Sequence, residues 1–91
     1  MKVSQFETVV CETYIPEELE EGKIYVSQKY NVVIHNCACG CGWKTITPVN
    51  TAHGWGLFID QNRVTLHPSI GNMQYPCKSH YFIKNGEVQW C

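Results

Sequence analysis

Ninety-one residues are the size of one domain, and a hydrophobic fraction of 44% beside only 16% charged residues excludes a disordered chain. Seven Lys and Arg against eight Asp and Glu leave a net charge of −1, which excludes the basic face of a phosphate-driven nucleic-acid binder. So short a chain builds a small core and commonly needs a staple, and its six cysteines supply the material for one.

Residues 1–10 mix Lys2, Ser4, Gln5 and Glu7 with apolar residues, so they form no signal-peptide h-region. No apolar run approaches the roughly 20 residues that cross a bilayer. A cytoplasmic protein with no membrane partner is expected, and in a reducing cytoplasm clustered cysteines point to metal before disulfides.

Phe6, Val9, Val10 and Tyr14 lie in a first extended stretch that ends at Pro16. Glu17 to Glu21 follows. A proline at a first helical position, acids at an N-terminal end and Gly22 as a stop suit one short helical turn, while a solvated acidic turn fits the same residues. Lys23 to Ser27 alternates Ile24 and Val26 with Lys23, Tyr25 and Ser27, the period of a half-buried strand. After a turn at Asn31, the β-branched Val32-Val33-Ile34 predicts a central strand that delivers His35 and the cysteines. Trp43 to Val49 returns as its hairpin partner.

Leu57-Phe58-Ile59 and Val64-Thr65-Leu66, joined by Asp60-Gln61-Asn62, predict a second antiparallel hairpin. His67 to Ser79, punctuated by Pro68, Gly71, Asn72 and Pro76, predicts an ordered loop. Tyr81-Phe82-Ile83 and Val88-Gln89-Trp90 close the chain as a hairpin around Asn85-Gly86. No repeat or linker interrupts this series. The fold class expected is mostly β: one small antiparallel domain over 1–91, stapled by a cysteine zinc knuckle, with at most one helical turn.

Cys37-Ala38-Cys39-Gly40-Cys41-Gly42 places three thiols within five residues. Zinc takes tetrahedral thiolate and imidazole ligands, and Gly40 and Gly42 suit a tight turn whose amides point at sulfur. Buried thiols or one oxidised pair fit that density of cysteines poorly. Cys77, in a rigid loop after Pro76, is the fourth ligand expected, giving a structural Zn2+ on Cys37, Cys39, Cys41 and Cys77. His80 competes for the place, since Cys77-Lys78-Ser79-His80 has Cys-x-x-His spacing, and a set with both would release Cys39. Cys11 and Cys91 are expected outside the site. Four thiolates around a dication add about −2 to the charge, which weighs further against nucleic acid.

A closed four-ligand metal does no chemistry of its own, so any reaction falls to residues that the metal loop positions. His67-Pro68-Ser69-Ile70-Gly71-Asn72 has the makeup of a nucleophile loop. Pro68 fixes the backbone before Ser69, turn amides at Gly71 suit an oxyanion hole, and the Asn72 side chain offers another donor. His80 is the base expected for Ser69, with His35 as a second base or orienting group. Bland readings stand beside these: a backbone-capping turn serine for Ser69, a zinc ligand for His80, and solvated positions for His53 and His67. No acid that orients a histidine is evident, and the lone aspartate, Asp60, falls in a turn. Trp43, Trp55 and Trp90 are core residues or a protein-binding surface.

Ile34-His35-Asn36-Cys37-Ala38-Cys39-Gly40-Cys41-Gly42, Pro68-Ser69-Ile70-Gly71-Asn72, Pro76-Cys77-Lys78-Ser79-His80-Tyr81 and a final strand from Gly86 to Trp90 occur in one order. With Tyr14-Ile15-Pro16-Glu17 and Tyr25-Val26-Ser27 upstream, the chain resembles the bacterial domain-of-unknown-function family 6527 over nearly its whole length. Members are encoded beside ubiquitin-like proteins and homologues of ubiquitin-activating and ubiquitin-conjugating enzymes. The resemblance implies a serine-type peptidase that processes or removes a ubiquitin-like protein, with Ser69 as nucleophile, His80 as base and the cysteines structural. The alternative is a non-catalytic zinc module that binds the ubiquitin-like protein or its conjugating enzyme.

Overall fold

The computed structural model of the chain describes residues 2–91. Eight strands form two four-stranded sheets, in spatial order β1-β2-β3-β4 and β5-β6-β7-β8. The first contains β1 (Glu7–Val10), β2 (Lys23–Ser27), β3 (Val32–Asn36) and β4 (Lys44–Pro48); the second contains β5 (Gly56–Asp60), β6 (Arg63–Asn72), β7 (Ser79–Lys84) and β8 (Glu87–Trp90). All pairings are antiparallel except β1 with β2, which is parallel. Among the described residues there is no helix, so none is long and apolar enough to cross a membrane.

One core joins the two sheets. Ile24, Val26 and Val33 from the first pack with Val64, Leu66, Ile70, Tyr81 and Ile83 from the second. Period-two alternation selects these side chains. Along β4, Thr45 and Thr47 turn inward while Lys44, Ile46 and Pro48 face out. Along β7, Ser79, Tyr81 and Ile83 are buried while His80, Phe82 and Lys84 are exposed. The terminal hairpin closes through Asn85 and Gly86, both at positive φ (50° and 78°), the backbone that a two-residue turn between twisted strands requires.

Three stretches depart from the sequence reading. The first extended stretch is a strand only over Glu7–Val10, and Tyr14 is exposed. Strand β2 is buried on both faces rather than one, with Tyr25 5% and Ser27 1% exposed; the Tyr25 hydroxyl accepts the Glu20 N–H at 3.0 Å beneath the acidic segment. That segment takes the turn reading and not the helical one, with Lys23 paired to Glu20.

The third departure matters most. His67 to Asn72 is not loop but the second half of the ten-residue β6, so the loop before β7 is confined to residues 73–78. Between the pairs Leu66–Ile83 and Ile70–Tyr81, the residues His67, Pro68 and Ser69 stand opposite Phe82 alone. This bulge accepts Pro68, which has no N–H to give a ladder. Because it inserts an even number of residues, Ile70 and Asn72 return to the inner face that Val64 and Leu66 occupy.

Candidate functional site

Ser69 sits at the end of the bulge and His80 is the second residue of β7. Ser69 Oγ and His80 Nε2 lie 2.8 Å apart. With the His80 proton on Nδ1, the hydroxyl donates to Nε2, the arrangement a serine needs to become a nucleophile. His80 is exposed and Ser69 half-buried. Trp55 Nε1 donates to the Ser69 carbonyl at 3.2 Å and fixes the backbone beneath the hydroxyl.

Gly71 faces His80 directly across the β6–β7 ladder. The Cys91 N–H donates to the His80 carbonyl at 3.1 Å, so the backbone of His80 points toward β8. In an antiparallel ladder the Gly71–His80 pair is therefore one that exchanges no hydrogen bonds, and the Gly71 N–H and C=O point away from β7. The missing side chain leaves the surface beside the Ser69–His80 pair open. A Cβ at this position would meet only Met73 Cγ, at 3.9 Å. Open surface, and not backbone conformation, distinguishes a glycine here.

The inner face of the same strands meets the cysteines, which lie in the turn after β3 and in the loop before β7. The four Sγ atoms of Cys37, Cys39, Cys41 and Cys77 lie within 4.8 Å of one another, with Cys37–Cys39 at 3.6 Å, Cys37–Cys77 at 3.8 Å and Cys41–Cys77 at 3.6 Å. Sulfurs bound about 2.3 Å from a tetrahedral ion stand about 3.8 Å apart, so the cluster fits a closed thiolate metal site. Two side chains support the sulfurs: Asn72 Nδ2 donates to Cys37 Sγ at 3.3 Å and Ser79 Oγ to Cys77 Sγ at 3.3 Å. Hydrogen bonding from Ser79, opposed by burial, lowers the Cys77 thiol to about 6. Burial pushes Cys41 up to about 12. A bound dication overrides that contest, because a coordinating thiol is deprotonated outright. His80 lies outside the cluster, turned to Ser69; Cys11 and Cys91 also lie outside it.

His35 and Asn72 are not brought to the exposed pair. His35 is fully buried, its Nε2 2.8 Å from the Tyr81 hydroxyl and its ring edge-on to Phe6 at 5.0 Å. Burial lowers its pKa to about 3, so it is neutral, and its Nδ1 has no partner among the described residues. The Asn72 side chain, also buried, is committed to Cys37 and, at 3.5 Å, to the Tyr81 hydroxyl. Tyr81 additionally accepts the Ala38 N–H at 3.3 Å. The cysteine turn, β3, β6 and β7 thus meet at one phenol. His53 and His67 are exposed, and the hydrogen bond of Ser69 Oγ is with His80 and not with either of them.

The family model for the bacterial ubiquitination-like system serine protease (BubE) matches residues 11–91. The chain belongs to this family. Curated proteins and solved structures gave no significant match. The stretch matched by the BubE model holds Ser69, His80, Gly71 and all four clustered cysteines, and it leaves β1 outside. Sequence reasoning overlooked Trp55 and Tyr81 as parts of this site. Tyr81 closes the Pro76 to Tyr81 motif without a role assigned to it, and Trp55 stood only among the tryptophans expected in the core or on a binding surface.

Proposed function

We propose that the chain is a serine-type peptidase that processes, or removes from its targets, the ubiquitin-like protein of a bacterial ubiquitination-like system. The observation that carries this reading is the 2.8 Å contact between Ser69 Oγ and His80 Nε2 on an open face of the molecule, in a chain of the BubE family. Ser69 Oγ attacks the carbonyl carbon at the end of the ubiquitin-like tail while its proton passes to His80 Nε2. The Gly71 N–H, unpaired and aimed off the strand, is the donor for the developing oxyanion. The imidazolium then gives its proton to the leaving amine as the C–N bond breaks. Water, deprotonated by the same nitrogen, hydrolyses the acyl-serine.

In this reading the four cysteines hold Zn2+, whose part is structural: with all four positions filled by Cys37, Cys39, Cys41 and Cys77 it has no site for water or substrate. His35, neutral and enclosed, acts as an orienting residue for Tyr81 and through it for β7. The partners are the ubiquitin-like protein and, through it, the conjugating enzymes, in the cytoplasm. The reading of a non-catalytic binding module draws on Trp43, which is 51% exposed and stacks on Tyr75 at 5.3 Å, a surface of the kind that anchors protein partners.

The test is to incubate the protein with a ubiquitin-like precursor that carries residues beyond its tail and to follow products by intact mass. Release of the tail by the unmutated protein but not by Ser69→Ala, with equal metal content, supports the peptidase. Binding without cleavage by the unmutated protein moves the conclusion to the module.

A further inference from the structure

Strand β4 is the outer strand of its sheet, and its outward backbone is satisfied only in part. Cys37 N–H donates to the Trp43 carbonyl and Val49 N–H to the Asn31 carbonyl, at 2.8 and 2.9 Å. Trp43, Thr45, Thr47 and Val49 therefore face β3, and Lys44, Ile46 and Pro48 face outward. The outward Lys44 carbonyl accepts the Tyr75 hydroxyl, and the Pro48 carbonyl accepts the Trp55 N–H at 2.8 Å. Between them the N–H and C=O of Ile46 have no partner among the described residues.

A groove of about 310 Å³ lies beside this edge, lined by Ile46, Thr47, Trp55, Gly71, Asn72 and Tyr75 among others. Strand β5 pairs with β6 only as far as His67, so the outward N–H and C=O of Gly71 are also free, and they border the same groove. Trp55 connects the groove to the reacting pair, since its ring lines the one and its Nε1 holds the Ser69 carbonyl of the other. The larger hollow, about 430 Å³ at Phe6, Arg63 and Gly86, lies at the opposite end of β6 and touches neither Ser69 nor His80.

We infer that this groove receives the tail of the ubiquitin-like substrate as an extended strand, paired through its backbone to Ile46. The inference rests on the reading of Ser69 and His80 as the reacting pair, to which the groove is continuous through Trp55 and Gly71. Two unpaired main-chain edges around one cleft are the complement of another main chain, as in strand-addition recognition. Unsatisfied backbone groups suit an unfolded peptide better than a folded surface, whose own backbone is already paired. The substrate's peptide groups supply what Ile46 lacks, and the chain then runs on to present its scissile carbonyl to the Gly71 N–H and Ser69 Oγ.

The experiment is NMR of the 15N-labelled Ser69→Ala protein titrated with a synthetic peptide of the ubiquitin-like protein's C-terminal tail. The Ile46 and Gly71 amides are expected to shift and to gain protection from solvent exchange. Peptides N-methylated at single positions are expected to show one position, or alternate positions, where affinity falls about tenfold. Shifts confined to Trp43 and Tyr75, no binding, or equal affinity for every methylated peptide would overturn the proposal. Catalysis plays no part in this readout. Groove binding without cleavage by the unmutated protein leaves this inference standing and removes the peptidase, whereas cleavage with silent Ile46 and Gly71 amides does the reverse.

Discussion

Asn72 donates its side-chain amide to the sulfur of Cys37 at 3.3 Å, and it lies in β6 one residue beyond Gly71 and three beyond Ser69. Strand β6 therefore carries the proposed nucleophile toward solvent and a support of the thiolate cluster toward the core. Outer-sphere donors of this kind typically account for 10- to 100-fold in metal affinity. Asn72→Ala is expected to weaken metal binding by about that factor, read by competition with a chromogenic chelator. A variant that holds its metal as tightly as the parent would separate the strand from the cluster.

Ser69→Ala and His80→Gln are each expected to lower kcat/KM by about 10³-fold or more, and the double variant no further than the worse single one, because nucleophile and base act as a unit. Both side chains lie on the outer face, so unfolding free energies should stay within about 0.5 kcal/mol of the parent. Denaturant titration beside the tail-cleavage assay checks both halves. Additive losses in the double variant would mean that the two side chains work separately.

Gly71→Ala discriminates between a glycine kept for folding and one kept for the reaction. A methyl group fits, with its nearest neighbour at 3.9 Å, so the melting temperature should barely move. It would stand opposite His80 on the exposed face, clear of both ring and hydroxyl, where it crowds an incoming carbonyl. A fall of about tenfold or more in kcat with unchanged stability is expected from steady-state kinetics. Unchanged kcat would remove Gly71 from the reaction.

The loss of one hydroxyl from Tyr81→Phe strips partners from His35 Nε2 and the Ala38 N–H, both in the core. Leaving buried polar groups unpaired costs about 1–3 kcal/mol. The midpoint of urea unfolding should fall accordingly while metal stoichiometry is retained. A neutral substitution would show that the phenol is not what joins these strands.

Removal of the metal by a strong chelator is expected to unfold the protein, not merely to inactivate it. Cys37 and Cys77 are forty residues apart in sequence and 3.8 Å apart at sulfur, and without an ion no bond ties the cysteine turn to the loop before β7. Far-UV circular dichroism during chelation, with recovery on added Zn2+, measures this. Retained structure after complete metal loss would contradict the stapling role.

Much of this architecture was legible because local and global preferences agree. Val32-Val33-Ile34 has no better use than a strand, Asn85-Gly86 none better than a tight turn, and three cysteines in five residues have few uses besides metal. The misreading came where they conflict. Pro68, Gly71 and Asn72 carry loop chemistry, yet β7 pairs with them because a bulge absorbs the proline and tertiary packing decides the rest. Spacing brought Ser69 and His80 under consideration together, but spacing holds no information on which face a histidine takes. His80 was the base expected and His35 a second base or orienting group, and only the pleat sends one to the surface and the other to the core.

The pleat of β7 has a consequence for how such a protein is switched off. Ser79 and Tyr81 point to the sulfur cluster and its phenol, with His80 between them pointing the other way. A slip of one position along this strand would exchange those assignments, hiding the imidazole and surfacing the tether. In the proposed reading, an ion held by the four sulfurs acts as a latch on alignment, and metal starvation would silence the protein without touching a single reacting atom.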